Sequence, residues 1–594
     1  MLGFLKFIVR FIFWLLALVG VAVIALVVVG VFAFSDLKRS AVKVPDQAVL
    51  TIDLGKGLAS EHVSLPFGPT GRPTIEDIVL GLQAAATDGR VKGLLLKLGR
   101  GPLNIAEAQE IRDAVTQFQA SSKPIHAFAE SFGEGGDGTL HYYVAASADR
   151  IYLQPSGEIR LMGFILEQPF MRAALDWIGV EPQVSKRREF KGAPYLFTET
   201  AMPAPYRQNL QQLTDSWLAQ VTDGIAANRK IDAAKARRWI DNAPWSAVAA
   251  KQEGMVDELA YWDQMAAVTY GVLGEDASVD IADYAAQIPE PSATAPKIAI
   301  IRGDGPVVLG GSGGDPFGDS RKIGSDTIGD AFNDAIEDRV RAIIFRIDSP
   351  GGSYVASDAI WREIVRAKEA GIPVIASMQW QAASGGYFIA APATKIVAQP
   401  GTITGSIGVF AGKPVLTQMW TNLKVNFDGV QSGAAAGTDS VDRPYSPEQA
   451  AALEKRLDEI YADFTGKVAT GRNLTPEKTE DVAKGQVWTG ADAQARGLVD
   501  ELGGLATAIK LAKQEAKLAQ EVTAALVTYP PARERWEDFF SDFVGGGAKA
   551  PAMDGPAAMV PGAQELAEQL LPLIEQPDAV LLWSPPMAVN GRFQ

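Results

Sequence analysis

A serine flanked by residues with almost no side chain, Ala382-Ala383-Ser384-Gly385-Gly386-Tyr387, stands where a strand gives way to a helical run. Nothing bulky beside it covers its hydroxyl. Two roles are open to it: capping the helix, which serine does well, or attacking a large substrate as a nucleophile. A second turn of small residues, Ser349-Pro350-Gly351-Gly352, joins the buried run AIIFRI to another helical pattern. Its glycines let the backbone come close to a bound group, and helix-start N–H groups point free, as an oxyanion hole requires. Taken singly, such a sequence is more often an ordinary strand-to-helix turn. The suggestion of chemistry lies in the pair.

A serine nucleophile needs a base, normally a histidine oriented by a carboxylate. The 594 residues contain three histidines, His62, His126 and His141, all in the first quarter of the chain. The chain also has no cysteine, which excludes disulfides, thiolate zinc sites and a cysteine nucleophile. A lysine desolvated enough to lose its proton near neutral pH is the remaining candidate, and serine with lysine is an attested variant of the triad. This chemistry calls for no metal or other cofactor, in keeping with the absence of an HExxH pattern.

The elements that must position these residues are written twice. GRVKGLLLKL (Gly89 to Leu98) parallels DRVRAIIFRI (Asp338 to Ile347), YYVAASADRIYLQP parallels YFIAAPATKIVAQP, and AVLTIDL parallels KIAIIRG, in one order. Each copy alternates apolar β-branched runs with helical patterns, which predicts βαβ units around a mainly parallel, buried sheet. Superposing the copies puts Thr139 opposite Ser384, and the first copy has RGPLN where the second has its glycine pair. Conversely, VSKRREFKGAPYLF in the first copy carries Lys186 and Lys191, whereas its counterpart VQSGAAAGTDS has no lysine. The two copies look complementary, one with the serine and one with the candidate bases.

Around the repeats the chain changes character. Residues 11–34 form an uncharged apolar stretch long enough to cross a bilayer, after a short flank at 1–10. It exceeds the apolar core of a cleaved signal, so a retained anchor is expected, although the flanking Lys6, Arg10, Lys38, Arg39 and Lys43 leave its orientation open. The repeats are expected over 46–290 and 291–529. Residues 530–594 read as a Gly, Ala and Pro-rich linker with a short helix near 565–575 and no part in catalysis. The glycine-rich stretch from Gly303 to Gly324 is either a surface loop or a segment that moves over the site. A net charge of -15 argues against a nucleic-acid partner.

The duplicated unit, the SPGG and ASGGY turns, the TGSIGVF loop and the EFKGAPY lysine together resemble signal peptide peptidase A (protease IV) in its long bacterial form. The resemblance runs from the anchor to about residue 530. It implies an α/β fold of tandem ClpP/crotonase-like spiral domains after an N-terminal transmembrane helix. It also implies a single-pass protein of the bacterial inner membrane, facing the periplasm, that forms a homotetramer and hydrolyses remnant signal peptides. By the same resemblance Ser384 is the nucleophile, Lys191 the general base and Ser406 the residue that orients the lysine, with Gly351, Gly352 and Gly385 as the oxyanion hole. Two departures stand out: Asp348 where many relatives have asparagine, and Gly192 where many have serine, the latter expected to loosen the lysine. A crotonase-like acyl-CoA enzyme and a non-catalytic membrane scaffold are the competing readings, the first distinguishable by CoA-ester binding.

Overall fold

The computed structural model describes residues 44–59, 64–65, 68–69, 72–313 and 321–531, with short strands at 581–583, 588–589 and 592–593. The apolar stretch 11–34 and the helix expected near 565–575 lie outside the described residues. Among those described, no helix is long and apolar enough to cross a membrane.

Each copy builds a sheet from its β-branched runs. In the first, strands Glu258–Leu259, Arg150–Leu153, Ile125–Ala129, Val91–Lys97, Ala48–Asp53 and Ser278–Asp280 lie side by side, all parallel. The second repeats the arrangement with Val374–Ala383, Ala342–Ser349, Lys297–Asp304 and Ala525–Tyr529 in parallel, and Ile403–Gly405 with the antiparallel Val487–Thr489 at one edge. Even the register recurs: Leu50, Leu94 and Ile125 align across the first sheet as Ile300, Ile344 and Ile375 do across the second.

The second sheet is apolar on both faces because both are covered, as parallel sheets require. Alternate residues Ile343, Phe345 and Ile347 face helices of their own copy, while Ile344, Ile298 and Ile375 belong to a core shared with the first copy. Period-two alternation thus sends one set of side chains to each partner. Polar contacts fasten the same interface. Trp217, on the first-copy helix Ala204–Arg229, donates its indole N–H to the Gly401 carbonyl at 2.8 Å. Asn209 on that helix exchanges hydrogen bonds with the Val487 backbone, 2.9 Å each way.

A further sheet crosses between the copies. Its order is Ile323–Gly324, Val307–Val308, Gly351–Ser353, Leu581–Trp583, Val409–Val415 and Glu181–Arg187. The first-copy strand Glu181–Arg187 pairs antiparallel with Val409–Val415 of the second over its full length, from Arg187 opposite Val409 to Glu181 opposite Val415. This pairing carries the lysine-bearing segment across to the serine. The glycine-rich stretch is pinned at both ends by strands, Val307–Val308 and Ile323–Gly324, that pair with each other. Residues 530–594, read from composition as linker and tail, supply three of the described strands.

Candidate active site

Ser384 occupies the junction between the strand Val374–Ala383 and the helix Gly385–Ala390. Its backbone lies at φ 55° and ψ −111°, a region that a residue with a side chain adopts at a cost of about 1–3 kcal/mol. Two hydrogen bonds hold it there: its N–H donates to the Gly405 carbonyl, and its carbonyl accepts from the Phe388 N–H, both at 2.8 Å. The strained corner presents the hydroxyl at the head of the helix. The small neighbours have a packing reason as well, since a side-chain carbon on Gly386 would approach the Ser349 carbonyl oxygen to 2.7 Å.

Lys191 follows the crossing strand and is wholly buried. Its Nζ stands 2.6 Å from Ser384 Oγ, 3.0 Å from the Ser406 carbonyl and 3.1 Å from Ser406 Oγ. Burial strips water from the ammonium and holds the lysine pKa well below its usual 10.5. A neutral amine has two N–H groups and one lone pair. With the N–H groups given to the two Ser406 oxygens, the lone pair is left for the Ser384 hydroxyl. Ser406 is itself constrained, at φ 51° with its N–H on the Gln486 carbonyl at 2.7 Å.

Lys186, the alternative base, goes elsewhere. Its Nζ reaches the Arg188 and Glu189 carbonyls at 3.2 and 3.3 Å and the Tyr195 hydroxyl, above whose ring it sits. Partial burial brings its pKa to about 8, but its amine is committed to this neighbouring loop.

The glycine turn lies against the serine helix. A side-chain carbon on Gly385 would fall 3.0 Å from the Gly352 nitrogen and 3.1 Å from the Gly351 Cα, so only glycine permits this approach. The expected oxyanion donors are therefore gathered at one place, but they are not equivalent. The Gly351 N–H donates to Ser349 Oγ at 3.1 Å, whereas Gly385 begins its helix, where an N–H has no partner within the helix.

Both departures from the resembled pattern have local explanations. Asp348 is pushed up to about 8, by burial first and by the charge of Asp304 second. Its neutral form, which matches asparagine in charge, is thereby favoured; its Oδ1 accepts the Gln381 N–H at 3.1 Å. Gly192 does not loosen the lysine. The Tyr206 ring fills the space, and a side-chain carbon at 192 would come within 2.2 Å of it.

The equivalent place in the first copy is filled by its own side chains. The Thr139 hydroxyl donates to Asp137 Oδ1 at 2.6 Å and accepts the Gly163 N–H at 3.1 Å. His141 Nδ1 accepts the Gly99 N–H, which assigns the proton to Nε2, 3.1 Å from the Gly101 carbonyl.

One residue that shapes the site escaped the sequence reading. Gly485, at φ +80°, packs so closely on Lys191 that a side-chain carbon there would lie 2.5–2.7 Å from the lysine's N, Cα and Cβ. Its N–H donates to the Ile407 carbonyl at 2.7 Å, next to Ser406. A glycine between Lys484 and Gln486 is the sole sequence trace of this contact.

Both copies are similar to known proteins. The description "Peptidase family S49" matches twice, over residues 117–270 and 366–519. Protease 4 of Haemophilus influenzae is 32% identical over 461 residues, spanning 74% of this chain and 72% of its own. Protease 4 of Salmonella typhi is 32% identical over 463 residues, with 75% and 72% spanned. The chloroplastic serine protease SPPA of Arabidopsis thaliana is 31% identical over 461 residues, 75% of this chain and 66% of its own. Among solved structures, a membrane-bound stomatin-specific protease aligns with 40% of this chain at 16% identity and a TM-score of 0.25, too slight a likeness to define the fold. With both matches falling on the two copies whose serine and lysine meet, the chain belongs to peptidase family S49 and is a serine peptidase.

Proposed function

We propose that Ser384 and Lys191 are the nucleophile and general base of an endopeptidase that degrades cleaved signal peptides and other unfolded apolar peptides. The observation that carries this reading is the 2.6 Å approach of a fully buried lysine amine to a strained serine hydroxyl. Neutral Lys191 takes the Ser384 proton as Oγ attacks the substrate carbonyl, and the Gly352 and Gly385 N–H groups stabilise the resulting oxyanion. The lysine returns the proton to the leaving amine. Water, deprotonated by the same lysine, then hydrolyses the acyl-enzyme. Ser406 keeps the amine turned toward the serine throughout.

The substrate class is supported by the relatives named Protease 4 and SPPA, and by the apolar stretch 11–34, which would keep the peptidase where such peptides are released. On this reading the chain is a single-pass inner-membrane protein with its repeats in the periplasm, built of ClpP/crotonase-like spiral domains and working as a homotetramer. The test is hydrolysis of casein and a leucine-rich fluorogenic peptide by the detergent-solubilised chain, beside Ser384→Ala and Lys191→Met. Activity in the parent and in neither variant is expected. Activity that survives Lys191→Met would transfer the base elsewhere.

A further inference from the structure

As the strand Ala342–Ser349 nears the Gly351-Gly352 turn, the face it shares with the first copy changes from apolar to charged: Ile344, then Arg346, then Asp348, every second residue. The neighbouring strand Lys297–Asp304 does the same in register, with Ile300 opposite Ile344, Arg302 opposite Arg346 and Asp304 opposite Asp348. The two arginines are met by carboxylates of the first copy, Glu76 at 3.3 Å from Arg302 and Glu110 at 3.2 Å from Arg346. The two aspartates are not matched in this way. Arg321 goes to Asp304 at 3.3 Å, Arg346 is already engaged by Glu110, and Glu107 of the first-copy helix Ile105–Gln119 adds a further carboxyl to the surroundings. Among the described residues Asp348 has no ion pair. Two carboxyls side by side on neighbouring strands repel when both are charged, so the one without a counter-ion is the one that keeps its proton. Its displacement to about 8 has this origin together with burial.

Main-chain pairing is interrupted at the same point. Ile347 lies opposite Met378 and Ser349 opposite Ala382, so Asp348 alone spans what Gln379, Trp380 and Gln381 span on the strand that ends at Ser384. The bulge leaves a break in the ladder just before both turns. Asp348 Oδ1 closes it by accepting the Gln381 N–H at 3.1 Å, and on the other side the Asp348 carbonyl accepts the Gly305 N–H at 2.8 Å. The tie sits three residues before Gly351 on one strand and three before Ser384 on the other. It thereby sets where the glycine turn stands relative to the serine. A charge on Asp348 would act on the same place, because negative charge develops at the oxyanion donors in the transition state and a carboxylate nearby opposes it.

We propose that neutral Asp348 is a positioning residue that ties the Gly351-Gly352 turn to the strand carrying Ser384, and that its ionisation sets the alkaline limit of the activity. This rests on the peptidase reading above. The carboxyl bridges the bulge as an acceptor, as the side-chain oxygen of an asparagine would, and differs from asparagine in being able to lose a proton.

The test uses the full chain in detergent and a leucine-rich fluorogenic peptide, with kcat and KM followed across neutral and alkaline pH. Asp348→Ala removes the acceptor for the Gln381 N–H and should lower kcat about ten-fold at neutral pH with KM unchanged. Asp348→Asn keeps an acceptor and cannot ionise. It should recover most of that kcat and abolish the fall in activity that the parent shows above about pH 8. A kcat in Asp348→Ala equal to the parent's, or an alkaline fall that persists at the same pH in Asp348→Asn, overturns the proposal. A second measurement needs no catalysis. Folded Asp348 holds a proton that the unfolded chain releases near 3.8, so the parent loses stability as pH rises from there to about 8. The Tm advantage of Asp348→Asn over the parent should therefore grow across that range and level off above it. A difference that does not change with pH overturns the proposal. If the expected difference appears while no form of the chain hydrolyses substrate, the peptidase reading fails and the neutral, bridging Asp348 stands.

Discussion

Lys191 and Ser384 belong to different copies of the repeat, yet Nζ and Oγ stand 2.6 Å apart and both side chains are buried. The crossing strand makes this possible, because Glu181–Arg187 is zipped along Val409–Val415 and delivers the lysine to the serine. On the proposed reading they act as base and nucleophile in one unit, and their removal should register as such.

Ser384→Ala and Lys191→Met should each lower kcat/KM by at least about a thousand-fold, and the double variant should be little worse than either, since residues that act together are not additive. Steady-state kinetics on the three variants checks this. Losses that multiply would show that the two side chains act independently.

As the proposed base, Lys191 must be neutral to act, so kcat/KM should rise with pH as it loses its proton, with a midpoint well below 10.5. Stability follows from the same shift. Between the depressed folded pKa and the ordinary value, the unfolded chain binds a proton that the folded chain lacks, so stability rises with pH across that window. The burial penalty is fully present below the folded pKa and gone near 10.5. Lys191→Met removes it and should therefore raise Tm at neutral pH, by about 2–4 °C per kcal/mol, with the gain shrinking toward pH 10.5. A Tm gain that does not change with pH would rule out this account.

Ser406→Ala removes one of the two acceptors that orient the amine while leaving the Ser406 carbonyl in place. The expected loss is about ten-fold in kcat, the equivalent of one hydrogen bond near 1.4 kcal/mol, with KM unchanged. Ser406→Thr, which keeps the hydroxyl, should recover part of it.

Gly485→Ala sets a methyl group against the Lys191 backbone at 2.5–2.7 Å and strains a residue at φ +80°. Displacing the lysine by about 1 Å should cost on the order of a hundred-fold in kcat. Circular dichroism of the variant should match the parent, and a normal kcat would remove Gly485 from the site.

The two copies are also joined by a buried ion pair. Arg346, on the strand that leads to the Gly351-Gly352 turn, meets Glu110 of the first copy at 3.2 Å, and Glu110 accepts the Leu505 N–H at 2.6 Å. Glu110→Ala leaves a buried guanidinium short of its partner and should destabilise the fold by about 3–5 kcal/mol, read as a lower urea midpoint. A shift under 1 kcal/mol would mean that Glu76, 3.6 Å from Arg346, suffices alone.

How much of this was legible beforehand depends on the range of the interaction involved. Strand and helix order, the duplication and its parallel sheets follow from local apolar patterning, which each copy carries in full. Composition alone led from a serine to a lysine, because no histidine follows His141. The small residues around Ser384 were visible as a turn, since backbone freedom is a property of the residue itself. Between Lys186 and Lys191, however, nothing local decides. Both lie in one segment, and what separates them is desolvation and reach, which exist only once the crossing strands pair. The contact of Gly485 with Lys191, the packing of Tyr206 on Gly192 and the ion pair of Arg346 with Glu110 join residues distant in the chain, and no periodicity records them. The same holds for Leu581–Trp583: the sequence marks it only as part of a tail, and its pairing is with two strands contributed by residues far earlier in the chain.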